Sequence, residues 1–176
     1  IRVKEILGEY FSEIISNNSI VGVENGGRLV DNQGKTIINN YLSTDDKRWF
    51  IENISQKQMD YVVFYRDFPA KAVIWTNTKG VYQDFIIKYS SFADIILGDS
   101  KTLVELIDNN DFGELIFSID NNIDIGDRNV VWNEGSAHLT NSHIDKGSAL
   151  KEIMKFHSIS SEDLLIAGNF DNDLPM

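Results

Sequence analysis

Apolar positions along this chain follow two periods, and the change of period marks the elements. Val3, Ile6, Leu7, Tyr10, Phe11, Ile14 and Ile15 repeat at the three-and-four spacing of a one-sided helix. NNS ends that pattern, and SIVGV reads as a short buried strand. The turn ENGG leads into RLVD and KTII around NQG, two runs with the signature of a hairpin. STDDKRWFIENIS is predicted helical, with Asp residues in the first turn, where the helix dipole favours negative charge. MDYVVFYRD and KAVIWTN are rich in β-branched and aromatic residues and predict two strands joined by an FPA turn. VYQDFIIKYSSFA predicts a helix despite its strand-forming residues, and DIILGD a strand or a loop.

SKTLVELIDNN predicts a helix capped by its serine. GELIFSID is a strand, and NVVWNEGSAHLTN supplies one or two more. DKGSALKEIMKFH predicts a helix with Leu150, Ile153 and Met154 on one face, and SSED then leads into a last strand, LLIAG. Strands and helices alternate throughout, which predicts an α/β architecture. The short strand-only runs in the middle suggest a second sheet. The simplest division assigns residues 1–40 and 143–176 to a core made from the two ends, with residues 41–142 inserted between them.

A length of 176 residues allows one ordinary domain or one core with a sizeable insertion. A net charge of −11 repels phosphate backbones and anionic lipid, and no basic stretch is present, which argues against nucleic acid as a partner. Cysteine is absent, so disulfides and thiolate metal sites are excluded and the balance leans toward the cytoplasm. No apolar run approaches the roughly 20 residues of a membrane helix. Residue 1 is Ile, already inside a helical pattern, and the chain stops at LPM. Both ends read as cut.

Candidate chemistry concentrates near the C-terminus. The strand LLIAG runs into Asn169, Asp171, Asn172 and Asp173, hard oxygen donors suited to Mg²⁺ and placed where open sheets bind ligands, beyond the carboxyl end of a strand. A polar turn would use the same residue types for backbone reasons alone. Lys146 follows the expected cap Asp145, in a first turn where a cation is disfavoured by up to roughly 1 kcal/mol unless an anion waits nearby; a solvated surface lysine is the alternative. Gly147 would allow close approach of a ligand or another segment. DNNDFGELIFSI is a poor calcium loop, because Phe112 stands at a ligand position and Ile119 where a bidentate Glu belongs. NNS and NIS match the glycosylation pattern only weakly. His138, His143 and His157 are not spaced as a metal set, and His157 ends a helix. Asn141 and His143, near the junction of insertion and core, face substrate or simply link. The aromatic-rich strands from Tyr61 to Trp75 line a lid or pack a core.

DKGSALKEIMKFHSISSEDLLIAGNFDNDLPM, residues 145–176, resembles the end of the haloacid-dehalogenase-like phosphatases, specifically the Cof-type (class IIB) group. That group carries a K-G-x-A-L helix, an apolar strand and G-D-x-x-N-D-x-x-M. IVGVENGGRLVDNQGKTI is similar to the group's N-G hairpin ahead of its cap. The resemblance implies a Rossmann-like core, here partial, with an inserted α/β cap of the C2 type. It implies that Lys146 holds the nucleophile and the transferring phosphoryl group, that Asn169 and Asp173 bind Mg²⁺, and that Asn172 lies among the phosphate-binding groups. Asn169 replaces the family's usual Asp, which removes one negative charge and keeps an oxygen donor. Asp171 matches no fixed role.

The family's nucleophilic Asp, in a D-x-D motif, and its phosphate-binding Ser or Thr would precede Ile1. The resemblance therefore implies a Mg²⁺-dependent phosphomonoesterase acting on a small phosphorylated metabolite such as a sugar phosphate, with the chain as given inert for want of its carboxylate nucleophile. The inserted domain would close over the pocket, exclude water and choose the substrate. The rival expectation is a non-catalytic ligand-binding or interaction module derived from such a phosphatase. A third is a truncated or proteolysed piece. Oligomeric state and substrate identity are not written in these motifs.

Overall fold

The computed structural model describes residues 19–165, except 34, 56, 58, 67–70, 120–123 and 134. The expected N-terminal helix and the FPA turn lie outside the described residues. β1 (Ile20–Val23), β2 (Arg28–Asp31) and β3 (Thr36–Asn39) form an antiparallel sheet in sequence order. The Asp31 carboxylate closes the β2–β3 turn by accepting the backbone N–H groups of Gln33 at 2.9 Å and Lys35 at 2.8 Å, the local bonding that favours Asp in turns.

A second sheet has six strands in the order β6-β5-β4-β7-β9-β8. They are β4 (Val62–Tyr65), β5 (Ala72–Thr76), β6 (Ala93–Leu97), β7 (Glu114–Phe117), β8 (Asn129–Asn133) and β9 (Ser136–Thr140). Neighbours pair antiparallel except β5 and β6, which run parallel because a helix crosses between them. DIILGD is thus a strand, and NVVWNEGSAHLTN is two.

Helix α1 (Thr44–Asn53) opens with a reciprocal capping box between Ser43 and Asp46. Asp46 is also fully buried and takes a 2.8 Å bond from Arg128. Helix α2 (Lys79–Tyr89) is the β5–β6 crossover, and α3 (Ser100–Asp108) precedes β7. The cap of α3 is Asp99, not the expected Ser100. The Asp99 carboxylate accepts the Thr102 N–H at 2.9 Å, which places Ser100 at the first helical position. Helix α4 (Lys146–His157) begins at Lys146 behind the Asp145 cap and ends on His157, as expected. It stops on Ser158 in the left-handed conformation (φ 55°, ψ 40°), and beyond the tight turn Ser161–Asp163 Leu164 is extended. The remainder of the expected strand LLIAG lies outside the described residues.

Strand alternation divides the six-stranded sheet into two faces. Val62, Phe64, Val73, Trp75, Leu115, Phe117, Ala137 and Leu139 point to one side, where Phe50 and Ile54 from the α1 end and Leu103 and Ile107 of α3 close the main core. Phe50 meets Phe117 edge to face at 5.0 Å. Phe64, Trp75 and Phe112 are core residues too, so the aromatic strands pack rather than line a lid. On the other face Ala72, Ile74 and Ala93 lie under Phe85 and Tyr89 of α2. The register places Glu114, Ile116, His138 and Thr140 on that second face, away from the main core.

Candidate functional site

Lys146 is the first residue of α4, and the sequence accounts for its placement. The Asp145 carboxylate accepts the Ser148 N–H at 2.6 Å, while the Ser148 hydroxyl accepts the Asp145 N–H at 2.9 Å. Two helical donors are thereby satisfied, and the lysine is held in the first turn at the positive end of the dipole. The half-buried side chain borders a pocket of about 220 Å³ together with Asn25, Gly26, Ala149, Leu150 and Ile153. Leu150 and Ile153 of the helix face read from the sequence supply the apolar wall together with Ala149, while Met154 of that face is not among the lining residues. Lys146 and Asn25 are the polar residues of the lining, and a mostly apolar wall with few polar residues is the composition expected of a small-molecule site.

The opposite wall is the β1–β2 turn. Glu24, Asn25 and Gly26 have φ of 56°, 50° and 97° in succession, a left-handed run that Asn and Gly tolerate and that costs roughly 1–2 kcal/mol at Glu24. Gly26 is required there for a second reason. A Cβ on it would lie 2.5 Å from the Asp145 carbonyl oxygen, so its absence lets α4 begin against the turn.

What holds this turn is a buried polar network reaching the six-stranded sheet. The Glu24 carboxylate pairs with Arg28 and accepts the Gly113 N–H at 2.8 Å. Arg28 also donates to the Arg66 carbonyl at 3.3 Å. Asn25 donates its side-chain N–H to Glu114 Oε1, which is also 2.9 Å from His138 Nδ1. On its far side, His138 Nε2 lies 3.1 Å from the Asn133 amide nitrogen and 3.2 Å from the Ser136 hydroxyl. Burial pushes the Glu24 carboxyl up to about 7, aided by the charge of Glu114 and opposed by the Arg28 charge and the hydrogen bonds from Arg28 and Gly113.

The two crossings between the sheets also lie side by side. Asn141 donates to the Tyr41 carbonyl at 2.9 Å, and Asn129 donates to the Ile144 carbonyl at 2.6 Å. Asn141 is thus a linker tie, and His143 is exposed.

Of the expected site residues, Lys146 is in the pocket, while Asn169, Asp171, Asn172 and Asp173 lie outside the described residues. Among the described residues no group of three or more His, Asp or Glu side chains comes together to hold a metal ion. No described helix is long and apolar enough to cross a membrane. In the sequence ENGG reads as a hairpin turn, which leaves Asn25 unmarked as a pocket residue. The N-G pair, which favours left-handed backbone, was the available signal.

The family model described as haloacid dehalogenase-like hydrolase matches residues 5–176. No curated protein matches the chain. Among solved structures, the HAD subclass IIB sugar phosphatase BT4131 is 13% identical with a TM-score of 0.66, over 89% of this chain and 59% of that one. BT1666 from Bacteroides thetaiotaomicron, one of the phosphatases of the superfamily, is 16% identical with a TM-score of 0.61, over 86% of this chain and 56% of that one. A HAD/COF-like hydrolase from Plasmodium vivax is 20% identical with a TM-score of 0.60, over 85% and 55%. The chain spans a little over half the length of these structures, and at such identities the likeness is one of fold: mixed α/β, matching a Rossmann-like core. With the family model matched from residue 5 to residue 176, the chain belongs to the haloacid dehalogenase-like hydrolases.

Proposed function

We propose that this chain carries the lysine side of the active site of a phosphomonoesterase that acts on a small phosphorylated metabolite such as a sugar phosphate. The observation that carries the reading is Lys146, at the positive end of α4 and bordering one pocket with Asn25. Ammonium group and helix dipole both attract a phosphate dianion, and both favour the charge that develops on its oxygens during transfer. Ala149, Leu150 and Ile153 lower the local dielectric and strengthen that attraction.

Residues 41–142 act in this reading as the cap, and residues 1–40 and 143–176 as the core. The contacts of Gly113 and Glu114 with the β1–β2 turn, and the Asn141–Tyr41 tie, support that division. Asn169 and Asp173, an amide oxygen and a carboxylate, have the donor chemistry for Mg²⁺, which would supply further neutralising charge; Asn172 would bind phosphate beside Lys146. In this reading turnover needs the carboxylate nucleophile of the family's N-terminal D-x-D motif, and residues 1–176, which do not contain that N-terminal motif, do not turn over alone.

The test compares residues 1–176 with the full gene product on a panel of sugar phosphates with Mg²⁺. Hydrolysis only by a product containing the D-x-D segment is expected, lowered about a hundredfold or more in kcat/KM by Lys146→Ala. Hydrolysis by residues 1–176 alone, or a Lys146→Ala protein as active as wild type, would defeat the reading. A product that binds phosphate without hydrolysing it would favour the non-catalytic module.

A further inference from the structure

Glu114 is a carboxylate only 5% exposed, and the fold gains little from keeping it so. Desolvating an ion costs several kcal/mol, and apolar replacement of buried charge networks is often neutral or better for stability. Its bonds indicate what it does. One oxygen, Oε1, receives the Asn25 side-chain amide from the β1–β2 turn and lies 2.9 Å from His138 Nδ1 on the neighbouring strand. On the far side of the ring, His138 Nε2 lies 3.1 Å from the Asn133 amide nitrogen and 3.2 Å from the Ser136 hydroxyl, contacts that hold the imidazole with Nδ1 facing Glu114. Two partners from different elements thus fix the position of one carboxylate oxygen. That oxygen in turn fixes the side chain of an asparagine whose backbone is held in the left-handed region and which is one of the residues lining the Lys146 pocket. A strained residue persists only where its surroundings over-determine it, and here the determining contact comes from 89 positions away.

We infer that Glu114 is a positioning residue: it fixes the Asn25 amide at the wall of the Lys146 pocket and so makes phosphate recognition there depend on the six-stranded sheet being docked. The inference rests on the phosphate reading above. His138 is the second support, because it orients the Glu114 oxygen.

The test is nuclear magnetic resonance on this chain, with inorganic phosphate as the probe. The Asn25 side-chain amide signal is identified by its loss in Asn25→Ser. Phosphate is expected to shift the Asn25 amide and the Lys146 side-chain signals along one saturable curve. Glu114→Ala moves the Asn25 signal before any phosphate is added and weakens phosphate binding about tenfold, the scale of one lost hydrogen bond. Glu114→Asp keeps the charge and loses the reach, and has the same effect if the alanine variant does not fold. Glu114→Gln, whose carbonyl oxygen can accept both bonds, restores the signal position and brings affinity back to within about twofold. An Asn25 signal and an affinity unchanged in the Ala and Asp variants overturn the inference. A Lys146 response without an Asn25 response overturns it too and leaves the proposed function standing. Silence at both residues removes the phosphate reading and this inference with it.

Discussion

Gly27 and Gly113 meet backbone to backbone where the two sheets join. A Cβ on Gly27 would lie 2.6 Å from the Gly113 carbonyl oxygen, and one on Gly113 would lie 2.8 Å from the Gly27 Cα. Both obstacles are backbone, so neither can swing away. Gly27→Ala and Gly113→Ala are each expected to destabilise the chain by about 1–3 kcal/mol in urea unfolding. Gly80→Ala is the control: in α2 a Cβ there meets nothing within 4 Å, and the change stabilises by about 0.5 kcal/mol. A Gly27→Ala protein as stable as wild type would contradict the close approach.

Asp46 combines two duties that a surface capping residue does not. It completes the Ser43 box and, at 0% side-chain exposure, takes the Arg128 bond from the segment before β8. Its replacement by Ala leaves α1 half-capped and a guanidinium without its partner. Loss of about 3 kcal/mol or more is expected in thermal unfolding. Asp45→Ala, which removes an exposed pair with Arg48, stays within about 1 kcal/mol of wild type. Comparable losses for the two variants would mean the buried pair contributes nothing special.

Glu24 gives stability a pH dependence whose sign follows from its environment. Burial raises its carboxyl from the ordinary 4.5 to about 7 in the folded chain, despite Arg28. Between those values the unfolded chain has released the proton and the folded chain still holds it, so the folded state loses stability as pH rises. The contribution is fully present below pH 4.5 and gone above about 7. Urea midpoints of wild type and Glu24→Gln, compared from pH 4 to 8, isolate it: relative to the Gln variant, wild type weakens across that window. A difference that is flat, or that grows in favour of wild type with rising pH, would refute the burial argument.

Local pattern made much of this fold legible. Strand β4 alternates between its two faces, and the caps at Ser43 and Asp145 are the residue types that caps require. Asp99 and Ser100 show the limit of that reading. Both can cap, and only the three-residue offset to the Thr102 N–H decides between them. The site was half legible. Lys146 stands out because a cation opposes the dipole. Glu114 and His138 gave no signal, since their meaning lies in a contact with Asn25 across 89 positions, and spacing rules for histidine look only for metal.

Lys146 is where stability and function should part. At the first position of α4 its charge opposes the dipole, a cost set against the contacts the lysine makes in the fold. Measured against Lys146→Ala, which removes the same contacts, Lys146→Glu is expected to stabilise the chain by about 0.3–1 kcal/mol, raising Tm by roughly 1–4 °C, because a carboxylate suits that end of the helix. The same change should abolish phosphate binding, since it replaces attraction by repulsion beside the pocket. Lys146→Ala should be intermediate in phosphate binding. Scanning calorimetry and phosphate titration on the three proteins decide the matter: a lysine kept for its ligand shows the two quantities moving in opposite directions. One kept for its packing shows them falling together, and Lys146 would then have no claim to the active site.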